Sequence, residues 1–114
     1  MDPLFSTVEY AMGGLQLRLD TIAHNVANVN TPLYRSQTVN FEDGLTSALR
    51  AGKPAPATAP QVRAGFDLVD HNGTSVSLEN ELTTLAKSSL ERQVMVSSFN
   101  YKVDILKAAA GTAR

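Results

Sequence analysis

Few side chains in this chain of 114 residues are of a kind that performs bond chemistry. It has no cysteine, which removes thiolate nucleophiles, disulfides and thiolate metal sites and leaves the redox compartment open. Its two histidines, His24 and His71, stand far apart with no His-x-x-x-His pair, and nothing groups carboxylates around them to complete a metal centre. Glu79 and Glu81 are spaced like paired catalytic acids, but they open a predicted helix, where carboxylates complement the positive end of the dipole. No GxSxG elbow, phosphate-binding glycine loop or nucleotide fingerprint occurs; Gly13-Gly14 lies inside a helical pattern rather than after a strand. Asn72-Gly73-Thr74 fits a glycosylation sequon and is adequately explained as a turn. The residue types therefore point to no catalytic, cofactor-binding or metal site, and to no enzyme.

The side chains that do stand out are amides. Residues 24–35 read HNVANVNTPLYR. Asparagine is a poor helix former because its amide competes for backbone hydrogen bonds, and Thr31-Pro32 stops the helix outright. Asn25 and Asn28 are three apart on one face, and each amide offers donors and an acceptor together, suited to bonding backbone at a helix end or in an adjoining subunit.

The helix that must position them is legible from its apolar spacing. Phe5, Val8, Met12, Leu15, Leu19, Ile22, Val26 and Val29 alternate steps of three and four, the pattern of a heptad seam. With Asp2 as N-cap, Pro3 at the first helical position and Pro32 beyond the end, a helix is predicted over 3–29, about 40 Å long. A second is predicted over 77–110, opened by Ser77 and closed by Gly111. It carries two stripes. Leu78, Leu82, Leu85, then Val96, Phe99, Val103 and Leu106 keep heptad steps, interrupted in the middle by Ser89 and Arg92, while Ala86, Leu90, Val94, Ser97, Tyr101, Ile105 and Ala108 step by four, four and three. One partner helix cannot cover both stripes, and soluble monomers rarely leave such surface open, so the pattern predicts polymerisation.

Residues 30–76 form an insertion between the helices. A short helix is predicted over 40–50 with Phe41, Leu45 and Leu49 on one face. AGKPAPATAP, residues 51–60, reads as an extended, mobile linker without chemistry. The alternation Val62, Ala64, Phe66, Leu68 followed by Asn72-Gly73 predicts a β-hairpin-like segment. The expected fold is all-α: one elongated, coiled-coil-like domain of two long terminal helices with a small linker and hairpin-like insertion.

Ten Lys and Arg oppose eleven Asp and Glu, for a net charge of -1, so no general field attracts nucleic acid or an anionic membrane. Met1-Asp2-Pro3 lacks the basic start of a signal peptide, and no apolar run reaches the ~20 residues that span a bilayer.

The run IAHNVANVNTPLYR, residues 22–35, resembles the N-terminal signature of the bacterial flagellar rod and hook family, with Ile22, Ala23, Asn25, Ala27, Asn28, Thr31, Pro32 and Tyr34 in place. NGTSVSLENELTTLAKSSLERQ, residues 72–93, VDILKAAAG near the end and Thr38-Val39-Asn40-Phe41-Glu42 are similar to the proximal rod members of that family. Leu33 departs, standing where glycine is common after the proline, so the turn there lacks easy access to positive φ; Arg92 stands where an aromatic often precedes the glutamine. The resemblance implies a structural subunit of a periplasmic drive shaft, exported unfolded and without a cleaved signal peptide by the flagellar type III apparatus. Its implied partners are copies of itself, other rod subunits including the C-type proximal rod protein, the rod-base adaptor and the inner-membrane ring, with no nucleic acid and no small-molecule substrate. The seam on which such assembly would rest comprises the heptad residues of the first helix with Leu82, Leu85, Leu90, Val94, Val96, Phe99, Val103 and Leu106. A C-type proximal rod protein, or a soluble coiled-coil dimer acting as adaptor or regulator, are the alternative readings.

Overall fold

The computed structural model describes residues 3–56, 60–64 and 77–112. Helix α1 spans Pro3–Ala27, strand β1 Gln37–Val39, helix α2 Glu42–Ala51, strand β2 Val62–Ala64 and helix α3 Leu78–Thr112. The molecule measures 67 × 26 × 16 Å. The two long terminal helices, the short helix between them and the elongated shape are those expected from the apolar periodicity.

The helices run antiparallel. Asn25 near the end of α1 meets Glu81 near the start of α3, and Phe5 meets Phe99 edge-on with ring centroids 5.6 Å apart. Since α1 begins at Pro3 and α3 continues to Thr112, the last turns of α3 run past the start of α1 by about 15 Å.

Helix ends differ in detail from expectation. Helix α1 stops at Ala27 rather than 29, and Val29 lies in a chain of turns (Val29 N–H to the Val26 carbonyl, 3.2 Å; Thr31 N–H to the Asn28 carbonyl, 3.0 Å). Ser77 does open α3, its Oγ accepting from Asn80 N–H at 3.4 Å and its carbonyl from Glu81 N–H at 2.9 Å. Gly111 does not close it; the helix continues through that residue to Thr112.

The core is small and sits on α1. Ala11, Leu15, Val39 and Phe41 are buried together, with Tyr10, Leu17, Leu45 and Met95 against them. One interior glycine explains the arrangement: a Cβ at Gly14 would overlap the Phe41 ring, whereas one at Gly13 would meet nothing within 4 Å. Gly14 is thus the notch that receives Phe41, and Gly13 has no such role. Arg18, one turn on, holds the same segment by donating to the Val39 carbonyl (2.6 Å) and to Glu42 Oε1 (2.5 Å), with its guanidinium 4.8 Å from the Phe41 ring centre.

Two expectations for the insertion need correction. Phe41 is buried and Leu45 half-buried as the short helix predicts, but Leu49 is exposed. The described part of the linker is not a free tether: Gly52, at φ 63°, caps α2, and Ala55, Pro56 and Pro60 are half-buried, Pro56 lying beside Gly44. Val62–Ala64 pairs antiparallel with Gln37–Val39, in the register Thr38 opposite Arg63. The turn expected at Asn72-Gly73 lies outside the described residues, as do Phe66 and Leu68. No strand was expected at Gln37–Val39; its three residues are too few to show an alternation.

Candidate functional site

Two features concentrate the polar and the apolar potential of the chain. The first is the end of α1. Asn25 is 1% exposed and its amide forms four hydrogen bonds. Nδ2 donates to the Gln37 carbonyl (2.8 Å) and to Glu81 Oε1 (3.0 Å); Oδ1 accepts from Gln37 N–H (2.9 Å) and from the Tyr34 hydroxyl (3.0 Å). That is the full capacity of a primary amide. One side chain therefore ties the end of α1 to the signature turn, to β1 and to α3. This is why an asparagine occupies a helical position it disfavours: a shorter or acceptor-only side chain could not close both ends of the Gln37 peptide and also reach the carboxylate.

Asn28 does a smaller, local job. Its Nδ2 donates to the His24 carbonyl (2.8 Å) and its Oδ1 accepts from Thr31 Oγ1 (3.1 Å), satisfying an orphan carbonyl at the helix end. Thr31 and Pro32 are exposed and make the turn; Ala27 is exposed too. Tyr34 packs edge-on to His24 at 5.8 Å. Burial, and secondly the nearby Glu81 carboxylate, raise its pKa above the ordinary value, which keeps the phenol protonated as the donor that Asn25 needs. Leu33, 83% exposed, adopts φ 63°. The turn therefore does enter the positive-φ region, at a steric cost of about 1–2 kcal/mol that glycine would not bear.

The second feature is the outer surface of α3. The proposed seam divides sharply between the helices. On the first, Leu15 and Ile22 are buried and Phe5, Val8, Met12, Leu19, Val26 and Val29 half-buried; on α3 only Phe99 and Val103 reach that level, and Leu82, Leu85, Leu90, Val94, Val96 and Leu106 are exposed. The face that α3 turns to α1 is another one, marked by Glu81 on Asn25, Ser88 at 1% exposure and Met95 on the core. Those positions are seven apart, a heptad step that apolar patterning missed because two of the three are polar. Projected at ~3.6 residues per turn, the heptad stripe flanks this face and the second stripe lies nearly opposite it. Between α1, α2 and α3 runs an apolar groove of about 790 Å³, walled by Val8, Leu15, Leu45, Leu90, Val94 and Phe99 among others.

Neither feature is built for bond chemistry. Among the described residues no three of His, Cys, Asp or Glu converge as a metal site, and no helix is long and apolar enough to cross a membrane.

Comparison with known proteins agrees with the hub. The family described as "Flagella basal body rod protein" matches residues 7–35, which hold the seam of α1 from Val8 onward and the whole signature. Similar relatives include the flagellar basal body rod protein FlgB of Bacillus subtilis (strain 168), 28% identical over 88% of this chain and 87% of its own length. The FlgB proteins of Aeromonas hydrophila and Escherichia coli (strain K12) are 26% and 24% identical, covering 96% and 90% of this chain and 95% and 91% of theirs. With the signature in place and a likeness that covers most of the chain, the chain resembles the flagellar basal body rod proteins, those named FlgB among them.

Proposed function

We propose that this chain is a structural subunit of the bacterial flagellar proximal rod, polymerising through its terminal helices into the shaft that transmits torque. The observation that carries the reading is the outer surface of α3 in a chain that resembles this family. Leu82, Leu90, Val94 and Tyr101 are 51%, 61%, 58% and 70% exposed, a run of apolar side chains that only neighbouring molecules would cover. The relatives named FlgB support the B-type over the C-type proximal rod protein.

Its neighbours are copies of itself, the C-type proximal rod protein and the rod-base adaptor above the inner-membrane ring, reached in the periplasm after export through the type III apparatus. Export as an unfolded chain suits a molecule whose core, among the described residues, is a small cluster around Leu15 and Phe41. No step of the role requires a cofactor or a turnover, and the polar hub around Asn25 serves to hold geometry.

Deleting the gene in its own host tests the reading. The expected result is loss of swimming, restored by the full chain, with the protein recovered in purified basal bodies. A soluble dimer found only in the cytoplasm, with motility unaffected, would overturn it in favour of the adaptor.

A further inference from the structure

The described residues from 3 to 64 are fastened to one another more densely than α3 is fastened to them. The buried cluster of Ala11, Leu15, Val39 and Phe41, with Tyr10, Leu17 and Leu45 against it, lies wholly within that span, and α3 adds only the half-buried Met95. Within the same span the Phe41 ring fills the notch at Gly14, Pro56 lies beside Gly44, β1 pairs with β2, and Arg18 donates to the Val39 carbonyl and to Glu42. Three of the four hydrogen bonds of the Asn25 amide stay inside it as well; the fourth, with Glu81, reaches α3.

The seat of α3 is built differently. Among the described residues of this 35-residue helix, Ser88 is the one buried side chain, and a serine brings little hydrophobic stabilisation to the place it occupies. Glu81, Ser89, Glu91, Met95, Phe99 and Val103 are half-buried, and the other described side chains are exposed. The groove of about 790 Å³ along one side of the seat leaves Leu90 and Val94 in its wall more than half exposed, so side chains do not interdigitate there as they do in a close-packed helix pair. The helix is long for the apolar surface it covers within its own chain.

We infer that residues 3–64 form a folding unit of their own and that α3 docks on it as a second unit, able to leave and return while the notch, the Arg18 contacts and the other three bonds of Asn25 remain built. The dependence runs one way. Losing α3 costs the first unit only its outer cover, whereas losing the first unit removes everything on which α3 rests, so α3 opens at a lower free energy than the whole. This freedom belongs to the single chain and goes beyond the rod-subunit reading; in an assembly it lets α3 settle against new neighbours without remaking the rest of the molecule.

Hydrogen exchange of the purified full chain, followed peptide by peptide, separates the two units. The expected result is that the protected amides of residues 11–25 and 37–45 exchange as one slow set, while those of residues 82–110 exchange about a hundredfold faster. Ser88→Glu places a charge at the buried point of the seat; it should strip the remaining protection from α3 and change residues 11–25 and 37–45 by less than about threefold. Equal protection in 11–25 and 82–110, high or low, would overturn the inference, as would faster exchange in 11–25. So would a Ser88→Glu chain that loses protection throughout, or one in which α3 stays as protected as in the parent. Recovery of the chain from basal bodies is a separate measurement and decides only the rod-subunit reading.

Discussion

The two long helices of this molecule look alike on paper and behave oppositely. Helix α1 uses its apolar face inside the chain: Leu15 and Ile22 are buried, Gly14 receives Phe41, and Arg18 and Asn25 bind the insertion down onto it. Helix α3 is ten residues longer by its bounds and turns a mixed face of Glu81, Ser88 and Met95 to its partner while Leu82, Leu90 and Val94 stay more than half exposed. Periodicity tells that a face will be covered; it does not tell by which molecule. In α1 the cover is the chain itself; in α3, on the proposed rod-subunit reading, it is a neighbour, so mutations in the first should act on folding and mutations in the second on assembly.

The largest effect on folding is expected at Asn25. Asn25→Ala strands the Gln37 N–H and carbonyl, and removes the partners of Tyr34 and Glu81, a loss of about 2–4 kcal/mol. Thermal unfolding of the purified chain should show it directly. Asn28→Ala, which breaks only local bonds, should lose about 1 kcal/mol. Equal effects would mean that Asn25 is not the hub.

The glycine pair gives the next contrast. Gly14→Ala drives a methyl group into the Phe41 ring and should destabilise by about 1–3 kcal/mol. Gly13→Ala, one residue away and facing open space, should stabilise by about 1 kcal/mol. Opposite signs at adjacent residues are a demanding outcome, and denaturant midpoints of the two variants decide it.

Leu33→Gly sharpens the comparison at the turn. It relieves the left-handed backbone, partly offset by glycine's greater freedom when unfolded, for a net gain of about 0.5–1 kcal/mol. The smallest expected effect is alkaline. Because the Tyr34 pKa is raised in the folded chain, the unfolded chain releases that proton first. The stability linked to it is complete below the ordinary tyrosine pKa of about 10 and is lost as pH rises through the folded value. Tyr34→Phe should therefore flatten the alkaline limb of the stability profile.

How much of this was legible in the sequence follows the same division. The two helices, the stop at Thr31-Pro32 and the importance of the asparagines came from spacing and residue type. The partners of Asn25 did not, because Gln37 and Glu81 are brought to it by the fold and neither carries a local signal. The face of α3 that meets α1 was missed for a physical reason: burying Ser88 beside Met95 gives no hydrophobic period, and apolar patterning reads only what water avoids. Residues 51–60 read as a free tether because proline and alanine are common in linkers; Pro56 packs beside Gly44 through shape alone. Burial of Ile22 at 3% exposure also alters what a charge there would report. Ile22→Asp should unfold the subunit itself, so it cannot serve as a test of contacts between subunits.

The central claim is that the outer face of α3 belongs to assembly and not to the fold. Leu82→Glu with Tyr101→Glu tests it most directly, since both sites are more than half exposed and glutamate is a good helix former. Melting temperature and swimming are measured on the same full-length variant. The account predicts a melting temperature within the error of the parent, together with loss of swimming and of the subunit from purified basal bodies. Normal rods built from the double variant, or a subunit that no longer folds, would contradict it.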